Sequence, residues 1–157
     1  MTKEELEDIL EYQDGKFYWK KTFSNRNLIG NRAGTITMHG YEVISIKGKR
    51  FYSHTLSYLY HYGKLPKMID HINNNRLDNR IENLRHCNAF QNSANKFKSV
   101  NNKTGYKGVH KIKSGKYRVQ FQIGSIRKHL GYFDNLLEAK DAYNKESVLH
   151  HKEFAKI

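Results

Sequence analysis

The chain has 157 residues, with 28 Lys and Arg against 15 Asp and Glu, a formal charge of +13. This length holds one ordinary domain or two small ones. A content of 38% hydrophobic and 13% aromatic residues excludes a disordered polycation, which would be poor in aromatics. No apolar run is long enough to span a membrane, and the start, Met1-Thr2-Lys3-Glu4-Glu5-Leu6, lacks a signal-peptide core. Cys87 is the single cysteine, which excludes an internal disulfide framework and any zinc finger built on cysteine pairs. These features lead to the expectation of a soluble, cytoplasmic protein without a membrane partner, whose charge suits a polyanion such as nucleic acid.

Glu4 to Tyr12 is acidic and helix-compatible, and Gly15-Lys16-Phe17-Tyr18-Trp19-Lys20 reads as a turn followed by a short aromatic strand. Gly40 to Ile46 and Arg50 to Ser53 flank Lys47-Gly48-Lys49 as the arms of a β-hairpin. His54 to Tyr62 spaces its apolar residues as a short helix ending at Gly63. Met68 to Ile72 is a short strand-like run carrying Asp70 and His71, and Asn88 to Phe97 is helical. Ser93 to Thr104 is small, polar and basic, the composition of a linker.

Beyond residue 100 the chain has 12 basic and 5 acidic residues in 57 positions, the more densely charged part. Lys107 to Lys113 reads as a first strand, Lys116 to Ile123 as a second and Ile126 to Phe133 as a third. In the second strand Tyr117, Val119, Phe121 and Ile123 alternate with Lys116, Arg118, Gln120 and Gln122, so period two puts the two sets on opposite faces. A helix capped by Asp134 or Asn135 and running to about Lys152 is the available cover for the apolar face.

The most informative stretch is Asp70-His71-Ile72-Asn73-Asn74-Asn75-Arg76-Leu77-Asp78-Asn79-Arg80-Ile81-Glu82-Asn83-Leu84-Arg85. It sets a carboxylate beside an imidazole at a strand end, followed by a loop rich in Asn and Arg. Strand neighbours point to opposite sides, so Asp70 and His71 suit different tasks, one binding metal and the other acting on water. Asp70, His71, Asn83 and Asn92, with eleven residues between His71 and Asn83 and eight between Asn83 and Asn92, resemble the HNH (ββα-metal) endonucleases. The text Leu77-Asp78-Asn79-Arg80-Ile81-Glu82-Asn83-Leu84-Arg85 looks like the homing endonucleases of phages and introns. The resemblance covers roughly Gly15 to Lys98. It implies His71 as the general base, one divalent ion, Mg²⁺ or Mn²⁺, held by Asp70 and Asn92, and Asn83 bridging the loop and orienting His71. The Asn at position 92, where much of the family has His, tilts the site toward hard, oxygen-loving ions. His54 is expected to support the site from behind; His39 could touch phosphate; His61, His150 and His151 read as solvated helix residues.

Thr104-Gly105-Tyr106-Lys107-Gly108-Val109 and His129-Leu130-Gly131-Tyr132-Phe133 resemble the plant APETALA/ethylene-response-factor DNA-binding domain, over about Thr104 to Ala155. That resemblance implies a sheet lying in the major groove. The contacts would come from Lys107, His110, Lys116, Arg118, Gln120, Gln122, Arg127 and His129, with Arg reading guanine, Gln reading adenine and Lys meeting phosphate.

The expected fold is therefore α+β. An N-terminal hairpin and helix region leads into a ββα-metal motif, and a small three-stranded antiparallel sheet packed on one helix follows. The expected domains are 1–98, a linker at 99–104, and 105–157. Function is expected to be phosphodiester hydrolysis in double-stranded DNA by a monomer or a DNA-induced dimer, encoded by a phage and acting inside a bacterial host, with no small-molecule substrate. A DNA-binding regulator with an inactive nuclease half is the alternative, and an RNA-binding protein is a third reading.

Overall fold

The computed structural model describes residues 1–23, 28–95 and 102–155. Its chain divides into two compact units, Met1–Cys87 and Asn88–Ile157. In the first, α1 (Lys3–Ile9) opens on a capping box: Thr2 Oγ1 accepts from the Glu5 amide, and the Glu5 carboxylate accepts from the Thr2 amide. The helix stops earlier than its acidic pattern suggests. Leu10–Gln13 (β1) turns extended and pairs antiparallel with β2 (Lys16–Trp19). Asp14 and Gly15, with φ of 45° and 80°, form the two-residue hairpin loop between Gln13 and Lys16. Such a loop requires a strand on both sides, and this requirement overrides the helical preference of Glu11 and Tyr12.

β3 (Arg32–Ala33) completes the first sheet, in the order β1-β2-β3. A second sheet, β4-β5-β6, joins β4 (Thr35–Ile36), β5 (Glu42–Ile46) and β6 (Lys49–Tyr52). The expected hairpin is its β5–β6 pair, turning at Lys47 and Gly48. α2 (Ser53–Tyr62) begins one residue ahead of expectation and ends at Gly63 in the left-handed conformation. Ser53 Oγ donates to buried Glu42, which also accepts from Arg32 at 2.7 Å, so the start of α2 is tied to β5. The core between these elements includes Leu6, Leu10, Phe17, Ile44 and Leu56, all fully buried. β7 (Ile69–His71) pairs antiparallel with β8 (Leu84–His86), a short strand inside the stretch that reads from sequence as a loop rich in Asn and Arg. Residues 72–83 join them and close in a 3-10 turn at Ile81–Asn83.

The second unit starts with α3 (Ala89–Ala94), capped reciprocally by Asn88 and Gln91. Phe97, the expected end of this helix, lies outside the described residues, as do 99–101 of the expected linker. Asn102 and Thr104 are bound into the second unit: Asn102 Nδ2 donates to Tyr106 O and Thr104 Oγ1 to Val109 O. The three expected strands appear as β9 (Val109–Lys111), β10 (Tyr117–Ile123) and β11 (Ile126–Phe133), in the order β11-β10-β9, all antiparallel. β9 is shorter than Lys107 to Lys113 because Gly108, at φ 72°, bends the chain where a Cβ would sit 2.2 Å from the Tyr143 ring. α4 (Leu136–His151), capped by Asn135, covers the sheet and buries Val109, Val119, Phe121, Ala139 and Tyr143. Among the described residues no helix is long and apolar enough to cross a membrane.

Candidate active site and nucleic-acid interface

β7 and β8 position the chemistry-bearing side chains of the first unit. Asp70 and Arg85 face each other across the pair, and both Arg85 Nε (2.8 Å) and Nη2 (2.7 Å) reach Asp70 Oδ2. His71 pairs with Leu84 in register and is 6% exposed. Its Nε2 lies 3.1 Å from Oδ1 of buried Asn79. Burial pushes the imidazole below its ordinary pKa, with the Asn79 contact and the charges of Asp70 and Asp78 opposing. Burial thus favours the neutral ring, the form that can accept a proton.

The loop after His71 explains its own composition. The Asn73 amide donates to Asn83 Oδ1 (3.0 Å), and Asn83 Nδ2 donates to Asp78 O (2.8 Å). Asn73 Oδ1 accepts from the Asn75 amide, and Asn75 Oδ1 from the Leu77 amide, a series of Asx turns. Arg80 clamps Asp78 through Nε and Nη2, and this guanidinium holds the Asp78 carboxyl down at about 2. The Asn83 carboxamide thus ties Asn73 to Asp78. A side-chain hydrogen-bond contact to the His71 ring comes from Asn79, a residue the sequence pattern does not single out. Arg85 was missed as well, because its role depends on recognising β8.

Behind His71 stands an aromatic wall. The His54 ring meets it edge-on at 5.1 Å, and Tyr41 lies at 6.2 Å. Tyr52 stacks on His54 at 5.2 Å. Burial, then the neighbouring His71, push His54 down to about 4. His54, expected behind the site, packs edge-on against the His71 ring. Arg76 lies over the Tyr41 ring at 4.8 Å and donates to the carbonyl of His39, so the loop is pinned to the second sheet. Asn92 stands on α3, in the second unit. Among the described residues there is no cluster of three or more His, Cys, Asp or Glu suited to a metal. The oxygen donors named from sequence are one carboxylate and one carboxamide.

In the second unit, cross-strand register gathers the polar side chains. Arg118 pairs with His110 and Tyr132, Gln120 with His129, and Gln122 with Arg127, and directly opposed residues share a face. A bulge at Val119/Gln120 places one extra residue on β11. With strict alternation His129 and Tyr132, three apart, would face opposite sides; the bulge brings their rings to 4.7 Å. Tyr132, 57% exposed, belongs to this face although the sequence pattern did not single it out. Lys116 pairs with Asp134 at 3.2 Å. Lys107 precedes β9 and is turned elsewhere: its Nζ donates to the Ala94 carbonyl of α3 at 2.7 Å.

Residues 51–94 match the family model described as HNH endonuclease. The matched segment runs from β6 through α2, β7 and β8 to the end of α3 and contains Asp70, His71, Asn83 and Asn92. An HNH domain points to nuclease chemistry on DNA, supported as a rule by a divalent metal ion. Comparisons with curated proteins and with solved structures gave no match.

Proposed function

We propose that the chain is a metal-dependent endonuclease of double-stranded DNA, of the homing type, in which the HNH-matched segment cuts and the β9–β11 sheet binds. The observation that carries the reading is a buried His71, its Nε2 3.1 Å from Asn79 Oδ1, beside Asp70 inside the HNH-matched segment. His71 takes the proton of the attacking water as the water oxygen bonds to phosphorus and the 3′-oxygen leaves. By the resemblance, Asp70 and Asn92 would be the oxygen ligands of a divalent ion, and oxygen donors suit Mg²⁺ or Mn²⁺. Arg85 already holds Asp70 Oδ2 and fixes the direction the carboxylate presents. A bound divalent ion would supply charge neutralisation at the phosphorus and at the departing oxygen. Asn83 keeps the loop closed around the base.

The sheet reading rests on the gathering of His110, Arg118, Gln120, Gln122, Arg127 and His129 on one face, with Lys116 at its end. Arg118 lies within this face, paired in register with His110 and Tyr132. The arrangement agrees with an APETALA-like use of the sheet, with Lys107 left to hold α3. Phage origin and intracellular action in a bacterium fit the same reading. The test is supercoiled plasmid with and without Mg²⁺. Nicked or linear product that needs the ion and vanishes in His71→Ala supports the nuclease. Retarded but uncut plasmid supports a DNA-binding regulator instead.

A further inference from the structure

We infer that Asn79 is a positioning residue for the hydrolytic base: by accepting the Nε2 hydrogen of His71 on its carboxamide oxygen, it fixes the imidazole in the tautomer whose basic nitrogen is Nδ1. The inference rests on the proposed nuclease reading and deepens it. An amide oxygen only accepts hydrogen bonds, so the 3.1 Å contact between Asn79 Oδ1 and His71 Nε2 requires the hydrogen on Nε2. A neutral imidazole has a single N–H, and the lone pair then belongs to Nδ1. Which nitrogen is basic decides which side of the ring can take a proton from water.

Two further observations separate this role from ordinary packing. Asn79 is 1% exposed, and its Nδ2 has no hydrogen-bond partner among the described residues. A buried, unpaired amide donor weakens a fold, so fold stability alone does not account for an Asn here. The backbone beside it is also held from outside the loop. Gly15, in the β1–β2 hairpin, lies so close that a Cβ there would stand 2.9 Å from the Asn79 carbonyl carbon and 2.6 Å from the Arg80 nitrogen. Asn83 and Asp78 close the loop on the other side. The carboxamide is thus delivered to His71 by a loop fixed at both flanks, as an orienting partner needs to be.

The experiment is ¹⁵N–¹H correlation of the histidine rings in the full chain at pH 8, read alongside plasmid cleavage by the wild type, Asn79→Ala and Asn79→Asp. The wild-type His71 ring is expected as the Nε2–H tautomer. Asn79→Ala is expected to mix the tautomers and slow cleavage by roughly 10- to 100-fold. Asn79→Asp, which still only accepts, is expected to restore the Nε2–H form and most of the rate. A wild-type ring with its hydrogen on Nδ1, in an enzyme that cuts, overturns this inference alone. So does a folded Asn79→Ala that cuts like the wild type. A wild type that never cuts overturns the nuclease reading and this role with it, whichever tautomer the spectrum shows. Because the wild-type spectrum needs no variant, a substitution that fails to fold leaves the test intact.

Discussion

His54 and His71 touch within one buried cluster, and burial disfavours a charge on either. For His54 the consequence is a window of pH. Its folded-state pKa is pushed down to about 4, against about 6.5 in an unfolded chain. Above pH 6.5 both states are neutral there and His54 adds no pH dependence. As pH falls toward 4 the unfolded chain takes up the proton and the folded one does not, so stability drops, by up to about 3 kcal/mol. Urea unfolding followed by Trp19, the one tryptophan and a core residue of the first unit, should show a midpoint that falls between pH 6.5 and 4. In His54→Gln the fall should be shallower; an identical slope would mean that His54 is not buried uncharged. At this scale Asp70 and His71 could be picked out because their chemistry is written in adjacent letters. Asn79 could not: its contact is made by loop closure eight positions along, which no periodicity announces. Arg85 reaches Asp70 only through a strand pairing that its own polar surroundings conceal.

Among the elements, the β1–β2 hairpin shows local turn chemistry overruling composition. Asp14-Gly15 is a two-residue hairpin signal, and its demand for two strands ends α1 at Ile9. The same turn abuts the loop that follows His71, so the two regions are coupled through Gly15. A contrast of two glycines tests this. Gly15→Ala meets a positive φ and backbone atoms within 3 Å, whereas Gly48→Ala meets a positive φ and open space. Gly48→Ala should cost about 1 kcal/mol and Gly15→Ala about 2–4 kcal/mol, measured by the Trp19 transition. Equal costs would remove the claimed close approach. The second unit's strands and helix were legible from alternation and capping because those signals are local. The bulge in β11 was not. Its extra residue leaves Leu130 and Gly131 in apolar positions that read as ordinary strand, yet it brings Tyr132 beside His129.

For the whole molecule, two small units with separate cores share one strongly basic chain. Charge density and the linker-like run point to a boundary near residue 100, whereas the chain divides after Cys87. The contact division, after Cys87, assigns α3 to the second unit, a detail that the family resemblance alone would have hidden. If the sheet supplies affinity and the first unit supplies chemistry, the two can be separated by salt. Binding should weaken steeply as salt rises, because phosphate contacts release counterions. Arg118→Ala with Arg127→Ala should reduce the slope of log K against log salt by roughly 1–2 and weaken binding about tenfold or more. Cleavage at saturating DNA should stay near the wild-type rate. Unchanged binding would remove the sheet from the interface.

The most direct measurement is the product formed on a defined, end-labelled duplex in Mg²⁺ with ¹⁸O-water. Hydrolysis through His71 predicts fragments ending in 3′-hydroxyl and 5′-phosphate, with the new oxygen on the phosphate, and no fragments with His71→Ala. A duplex that remains whole under the wild-type protein, or that is cut equally well without the imidazole of residue 71, would contradict it.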